Sequence, residues 1–283
     1  MRTRHTVLAA ALLLSPLAAA QETNPMVPVK HRVDSGVVAN EGTERQVIIS
    51  FPVIFDGVSS LQLHFEEVTL SGSTALGDAS ILRITSYEDG AVQTMNAVHV
   101  QQWANNSAYF NGNAVQVEVI ASPGTGPNRV VVEGLDVGIP AGTQETICLT
   151  DDRVPSNDQR VARLMPVGCT AWVVNDCGKC MVSAGHCGSG TGSSVQFNVP
   201  FSTSSGSLVF PPPEDQYAFD GTSKQWQNST DDWQYFGAFP NSNTGLTPYQ
   251  AYGVAFDILN PPGTTTTSAS PSEVSLCQTN RAV

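Results

Sequence analysis

The sequence predicts an all-β chain of two successive units, a β-sandwich followed by a six-stranded β-barrel. Three observations carry that expectation. Charged residues make up only 13% of the chain, while Gly and Pro number 24 and 18, a balance that suits short strands joined by many turns. Short apolar runs recur along the chain, and Leu61-Gln62-Leu63-His64-Phe65 alternates with the period of a half-buried strand. Between residues 141 and 159 the pattern stops in a stretch holding Gly142, Asp151, Asp152, Pro155 and Asn157, which reads as a linker.

Residues 1–20 form the first element. Met1-Arg2-Thr3-Arg4-His5 is a basic start, Val7 opens a short apolar run ending at Leu14, and Ala18 and Ala20 are the small residues of a secretory signal cleaved after Ala20. The run is too short to span a membrane, and nothing later approaches the length of one. An exported, soluble protein is therefore expected, secreted outside the cell or into a periplasm. All six Cys lie downstream of the signal, where disulfides are favoured over redox or metal chemistry. A formal net charge of −12 sets nucleic acid and anionic membranes aside as partners, because both are repelled at long range.

Residues 21–40 read as an extended lead-in with little periodic pattern. Residues 41–140 read as the sandwich, with strand signals at 46–55, 61–65, 81–87, 91–95, 98–103, 114–120 and 130–137. Asn111-Gly112 is a hairpin signal between Tyr109-Phe110 and Ala114-Val115. That rhythm suits a sandwich of jelly-roll kind. His64 and His99 fall at alternating strand positions, where a structural role is the default. The pairs Glu66-Glu67 and Glu88-Asp89 read as solvated turns, with calcium as the sharper alternative. Asn105-Asn106-Ser107 reads as exposed, and as a glycosylation acceptor in a eukaryotic secretory pathway.

After the linker, in which Cys148 reads as a tie to the barrel unit, residues 160–256 read as the barrel itself. Its strands are expected at 161–165, 169–174, 180–183, 194–199, 224–226 and 233–236. Residues 257–283 form a low-complexity tail around Thr264-Thr265-Thr266-Thr267, with Cys277 near its end. Cys277 is either a partner for Cys148 or a residue without its native partner.

The stretch from Cys169 to Cys187 organises the barrel. An apolar strand holding Trp172, Val173 and Val174 passes through a turn to Met181-Val182 and closes on Ser183-Ala184-Gly185-His186-Cys187. It resembles the histidine loop of chymotrypsin-like serine proteases, in which a strand ends in a sequence such as Thr-Ala-Ala-His-Cys. The resemblance implies that His186 is the general base and that Cys169 and Cys187 form the disulfide beside it. It also implies that the barrel is the first Greek-key barrel of a chymotrypsin-like double barrel. An imidazole suits the task because it exchanges protons near neutral pH, provided its ring is held within about an ångström. Cys177 and Cys180 flank Gly178-Lys179 and are expected to bond to each other or to stabilise that turn.

In the same family an Asp opens an apolar strand some forty to fifty residues after the His. Asp232 lies 46 residues after His186 and precedes Trp233-Gln234-Tyr235-Phe236, so the resemblance assigns it the orienting carboxylate. Asp231 is the alternative by one step of register. The third member is missing: no Gly-Asp-Ser-Gly-Gly string or Gly-x-Ser-x-Gly elbow occurs. The chain after His186 is too short to complete a second barrel. A truncated or frameshifted reading frame, or a fragment of a longer protease, is the expectation, with a half-barrel protein that only binds as the alternative.

The resemblance thus implies a secreted trypsin-like serine endopeptidase acting on proteins or peptides. It needs no cofactor and no metal, and it is inactive in the chain as given. Two other readings compete. One is a non-catalytic secreted β-rich adhesion or binding protein. The other is a zinc module built from Cys177, Cys180, His186 and Cys187, which the oxidising compartment opposes.

Overall fold

The structure is a computed structural model that describes residues 26–139, 156–176, 178–203, 207–227 and 231–258. Residues 1–25, residues 140–155 with Cys148, Cys177, and residues 259–283 with Cys277 lie outside the described residues. Among the described residues the fold is all-β, with two four-stranded sheets and a closed six-stranded antiparallel barrel.

The two sheets are built from β1 (Met26–Asp34), β2 (Gln46–Ile54), β3 (Ser60–Thr69), β4 (Ile81–Ser86), β5 (Val92–Met95), β6 (Phe110–Asn111), β7 (Ala114–Ala121) and β8 (Arg129–Gly138). One sheet has the order β1–β8–β3–β6 and the other β2–β7–β4–β5. Successive strands cross from one sheet to the other except β4 and β5, which pair as a hairpin, and the two orders together are those of an eight-stranded jelly roll. Alternation does the packing: Leu82, Ile84, Val115, Val117 and Val119 point into one core with Leu61, Leu63, Val130, Val132 and Leu135.

Three stretches of this unit differ from the sequence reading. Residues 26–34, read as an aperiodic lead-in, form β1 and pair with β8. Val27, Val29, His31 and Val33 alternate with the exposed Pro28, Lys30, Arg32 and Asp34. The pattern is period two, blurred by a Pro and a His, and the charges suit an edge strand. Residues 98–103, read as a strand, form most of α1 (Ala97–Gln102) and its C-cap Trp103. Asn96 caps it by accepting from His99 N at 3.0 Å, while His99 Nδ1 faces Asn96 N at 3.4 Å. Local capping, together with burial of Val100 and Trp103 on one helical face, outweighs the β preference of the two valines. His99 is therefore a helix-cap residue. Finally, Asn111-Gly112 does not close a hairpin: β6 pairs with β3, while β7 pairs with β2 and β4. Gly112 has φ +83° and turns the chain from one sheet to the other.

The barrel comprises β9 (Val161–Met165), β10 (Cys169–Val173), β11 (Met181–Ser183), β12 (Ser194–Gln196), β13 (Gln216–Gln227) and β14 (Trp233–Ala238). Around the barrel they run β9–β10–β11–β14–β13–β12 and close on β9. Leu164, Ala171, Val173, Met181, Val195, Phe197, Tyr217, Phe219 and Phe236 fill it. β13 is much longer than the short piece expected at 224–226. Its buried start at Tyr217, Ala218 and Phe219 is followed by polar residues on a register shift between Asp220 and Gln225, which hides the periodicity. A short helix, α2 (Pro248–Tyr252), follows β14 and places Tyr252 against Phe197, with ring centroids 4.9 Å apart.

The sandwich seats on the barrel through three carboxamides that imitate strand pairing. Gln216, fully buried, accepts from Tyr109 N at 3.0 Å and donates to Tyr109 O and Pro211 O, each at 2.8 Å. Asn111 accepts from Phe210 N and donates to Phe210 O, both at 2.9 Å. Asn243 accepts from Thr94 N and donates to Val92 O, both at 2.7 Å. The Tyr109 and Phe210 rings stack at 4.8 Å between them. Ala218 and Phe239 of the barrel unit pack into the sandwich core.

Candidate active site

The site is assembled at one end of the barrel, where β11 runs into a 3₁₀ turn, Gly185–Cys187. Three features fix that turn. Ser183 Oγ donates to Thr170 O at 2.7 Å and ties the end of β11 to β10. The disulfide between Cys169 and Cys187 joins the start of β10 to the residue after His186, with Cα atoms 6.2 Å apart. Gly188, at φ +62°, ends the turn in the left-handed region that favours glycine.

Gly185 is required by close approach. A Cβ there would stand 2.1 Å from Gln227 O and 2.9 Å from Trp233 O, so the ends of β13 and β14 occupy the space a side chain would need. The departure from Thr-Ala-Ala-His-Cys at this position thus has a local cause.

Asp232 opens β14 from the other side. Its backbone has φ +48°, a left-handed conformation that Asp and Asn tolerate better than most residues. Both carboxylate oxygens meet His186: Oδ1 accepts from His186 N at 2.8 Å, and Oδ2 lies 2.7 Å from the ring Nδ1. The ring bond first, and the backbone N–H second, hold the Asp232 carboxyl below its ordinary pKa. Folding is therefore favoured by this carboxylate above its unfolded pKa, and that contribution fades as pH falls through the depressed folded value. Asp231 is exposed and is not the residue that meets the ring.

The His186 side chain is 68% exposed. With Nδ1 engaged, Nε2 is the ring atom left to exchange a proton with a reacting group, and no described residue hydrogen-bonds to it. Ser189, Ser193 and Ser194, the serines of the stretch that follows His186, are buried. Ser193 Oγ accepts from Gly190 N at 3.2 Å. The loop from Gly188 to Ser193 is braced by Lys224 Nζ, which donates to Ser189 O, and by the close approach of Gly221 to Thr191. Neither brace was legible in the sequence, because each joins the loop to a residue some thirty positions away, in the part of β13 where its register against β14 shifts.

Cys187 and Cys169 share their sulfurs in one bond. Zinc therefore loses Cys187 from the ligand set Cys177, Cys180, His186 and Cys187. Of the three donors that gather around the ring, Cys169, His186 and Cys187, only the imidazole is left. Cys180 is a free, buried thiol, and Cys177, named as its possible partner, lies outside the described residues. Burial raises the pKa of Cys180, which makes it inert. Three of the four acidic residues in the sandwich pairs are committed to the fold: Glu66 pairs with Arg32, Glu67 with Arg129, and Asp89 accepts from Asn111 and Ala91 N, while Glu88 is exposed.

Comparison of the chain with models of known protein families, with curated proteins and with solved structures finds no match.

Proposed function

We propose that this chain carries the base-and-orienter half of a secreted, chymotrypsin-like serine endopeptidase. The observation that supports this reading above the others is the double contact of Asp232 with His186. One oxygen fixes the backbone of the base and the other its Nδ1, while Nε2 is left toward solvent. A hydroxyl needs such an acceptor to become a nucleophile, and a carboxylate behind the ring steadies the imidazolium that results. The closed antiparallel barrel and the disulfide next to His186 support the same reading. Export fits the leader-like residues 1–20 and the cystine. The substrates would be proteins or peptides, and a serine nucleophile and an oxyanion hole would complete the site. His186 would take the serine proton through Nε2 and return it to the leaving amine.

A second reading, a secreted binding protein, draws on Trp172, Trp226 and Trp233. They are exposed by 39%, 52% and 40% on barrel strands, and aromatic residues are common in binding surfaces. The two readings separate on one experiment. The product of the reading frame extended past Val283 should hydrolyse an unfolded protein substrate, and His186→Ala should lower kcat/KM by at least about 10³-fold. An extended product without hydrolysis, or one that H186A leaves unaffected, gives the case to the binding protein.

A further inference from the structure

A second imidazole–carboxylate contact lies in the sandwich, on the side facing the loop that leaves His186. His64, on β3, places Nε2 3.0 Å from Asp136 Oδ2 on β8 and Nδ1 2.6 Å from Asn106 Oδ1. Both partners are acceptors, so a ring that satisfies both carries a proton on each nitrogen. The bond to Asp136 is the largest influence raising the His64 pKa, burial opposes it, and the charges of Asp136 and Glu133, both on β8, add to the rise. Glu66, two residues further on in β3, is taken up by Arg32. Neither residues 104–107 nor the barrel loop 188–193 carries an ionisable side chain.

Asn106 has little freedom except in its side chain. Its backbone bridges to His64. On either side, Phe65 N donates to Asn105 O at 2.9 Å and Ser107 N to Leu63 O at 3.0 Å. Ser107 Oγ accepts from Leu63 N at 2.8 Å, so Ser107 is buried, and of Asn105-Asn106-Ser107 only Asn105 is exposed. The far end of the Asn106 carboxamide abuts the barrel. A Cβ on Gly192 would stand 3.4 Å from Asn106 Nδ2 and 4.0 Å from Ala104 Cβ, and Gly192 itself has φ +91°. Gly192 belongs to the loop that runs from the His186 turn into β12.

We propose that His64 and Asn106 form a proton-controlled clamp through which the sandwich sets the position of the loop leaving His186. With His64 doubly protonated, Asn106 Oδ1 is held by the ring and Nδ2 is presented to Gly192. When the ring releases its Nδ1 proton, Nε2–H stays with Asp136, and Nδ1 becomes an acceptor. The carboxamide then turns over, so that Nδ2 donates to the ring and Oδ1 faces Gly192. Both residues are positioning residues, since neither touches a substrate. The clamp's consequence for catalysis rests on the endopeptidase reading; the coupling itself does not.

The test is a pH titration of the full, ¹⁵N-labelled chain followed by NMR. The Gly192 amide is expected to shift in one step at the His64 midpoint, above the ordinary histidine value of about 6.5. Asn106→Ala should leave His64 titrating while the Gly192 step is lost. His64→Gln should remove the step, and His186→Gln should leave it intact. A Gly192 amide that stays flat through the His64 midpoint, a step that survives N106A, or one that disappears in H186Q overturns the proposal. If Gly192 follows His64 but the extended product hydrolyses nothing, the endopeptidase reading fails and the clamp stands. Hydrolysis with a flat Gly192 gives the reverse.

Discussion

On the proposed endopeptidase reading, Asp232→Asn in the product of the extended reading frame is expected to lower kcat/KM by about 10⁴-fold without unfolding the barrel. The reason lies in the two bonds Asp232 makes. The His186 backbone N–H can only donate, so it claims the one oxygen that Asn keeps, in place of Oδ1. The Nδ2 group then falls where Oδ2 stood, 2.7 Å from the ring Nδ1. Nδ1 must now accept, which moves the proton of the neutral ring to Nε2. A protonated Nε2 cannot take a proton from a hydroxyl, and the imidazolium loses its counter-charge. The fold survives because Asn tolerates the φ of +48° at this position as well as Asp does. Steady-state kinetics with a peptide substrate, together with a melting curve, checks both halves of the expectation.

The largest stability effect is expected at Gln216, far in sequence from the sandwich it holds. Replacing Gln216 with Leu keeps the volume and leaves Tyr109 N–H, Tyr109 C=O, Pro211 C=O and the Gln196 amide without their partner. Gln216 and Gln196 are both fully buried, so water does not replace the lost bonds. Each orphaned group costs about 1–3 kcal/mol, and these are not additive. A loss of about 3 kcal/mol, on the order of 10 °C in Tm, is the expected result. Because the sandwich is seated through this residue, its melting should also separate from that of the barrel. Thermal unfolding followed at the barrel tryptophans and by far-UV circular dichroism reads both effects. A loss below about 0.5 kcal/mol would place Gln216 among ordinary surface substitutions.

These contacts also mark what the sequence made legible. Strands with clean alternation, such as β4 at Ile81–Ser86, β9 at Val161–Met165 and β14 opening at Trp233, lie where the apolar period puts them. The stretch from Cys169 to Cys187 yields its disulfide because a resemblance, rather than periodicity, pairs those two Cys. Signals fail where two local preferences compete. At Val98 and Val100 the β-branched residues speak for a strand, and Asn96 with its reciprocal His99 contact settles on a helix. At Asn111-Gly112 the dipeptide supplies a turn, but which sheet each arm joins is decided by burial across the sandwich. The junction carboxamides Gln216, Asn111 and Asn243, and the meeting of Asn106 with Gly192, leave no trace in a single sequence. Polar residues of that kind are expected in loops, and only the docked units show which backbone groups they satisfy.

At the centre of the account is an imidazole whose proton sits on the nitrogen facing Asp232. The measurement that tests it most directly is the ring tautomer of His186 in this chain, read from the ¹⁵N shifts of both ring nitrogens in the neutral state. A proton on Nδ1 and a bare Nε2 are expected, reversed by Asp232→Asn. A neutral ring protonated on Nε2, or one whose tautomer is indifferent to residue 232, would contradict it.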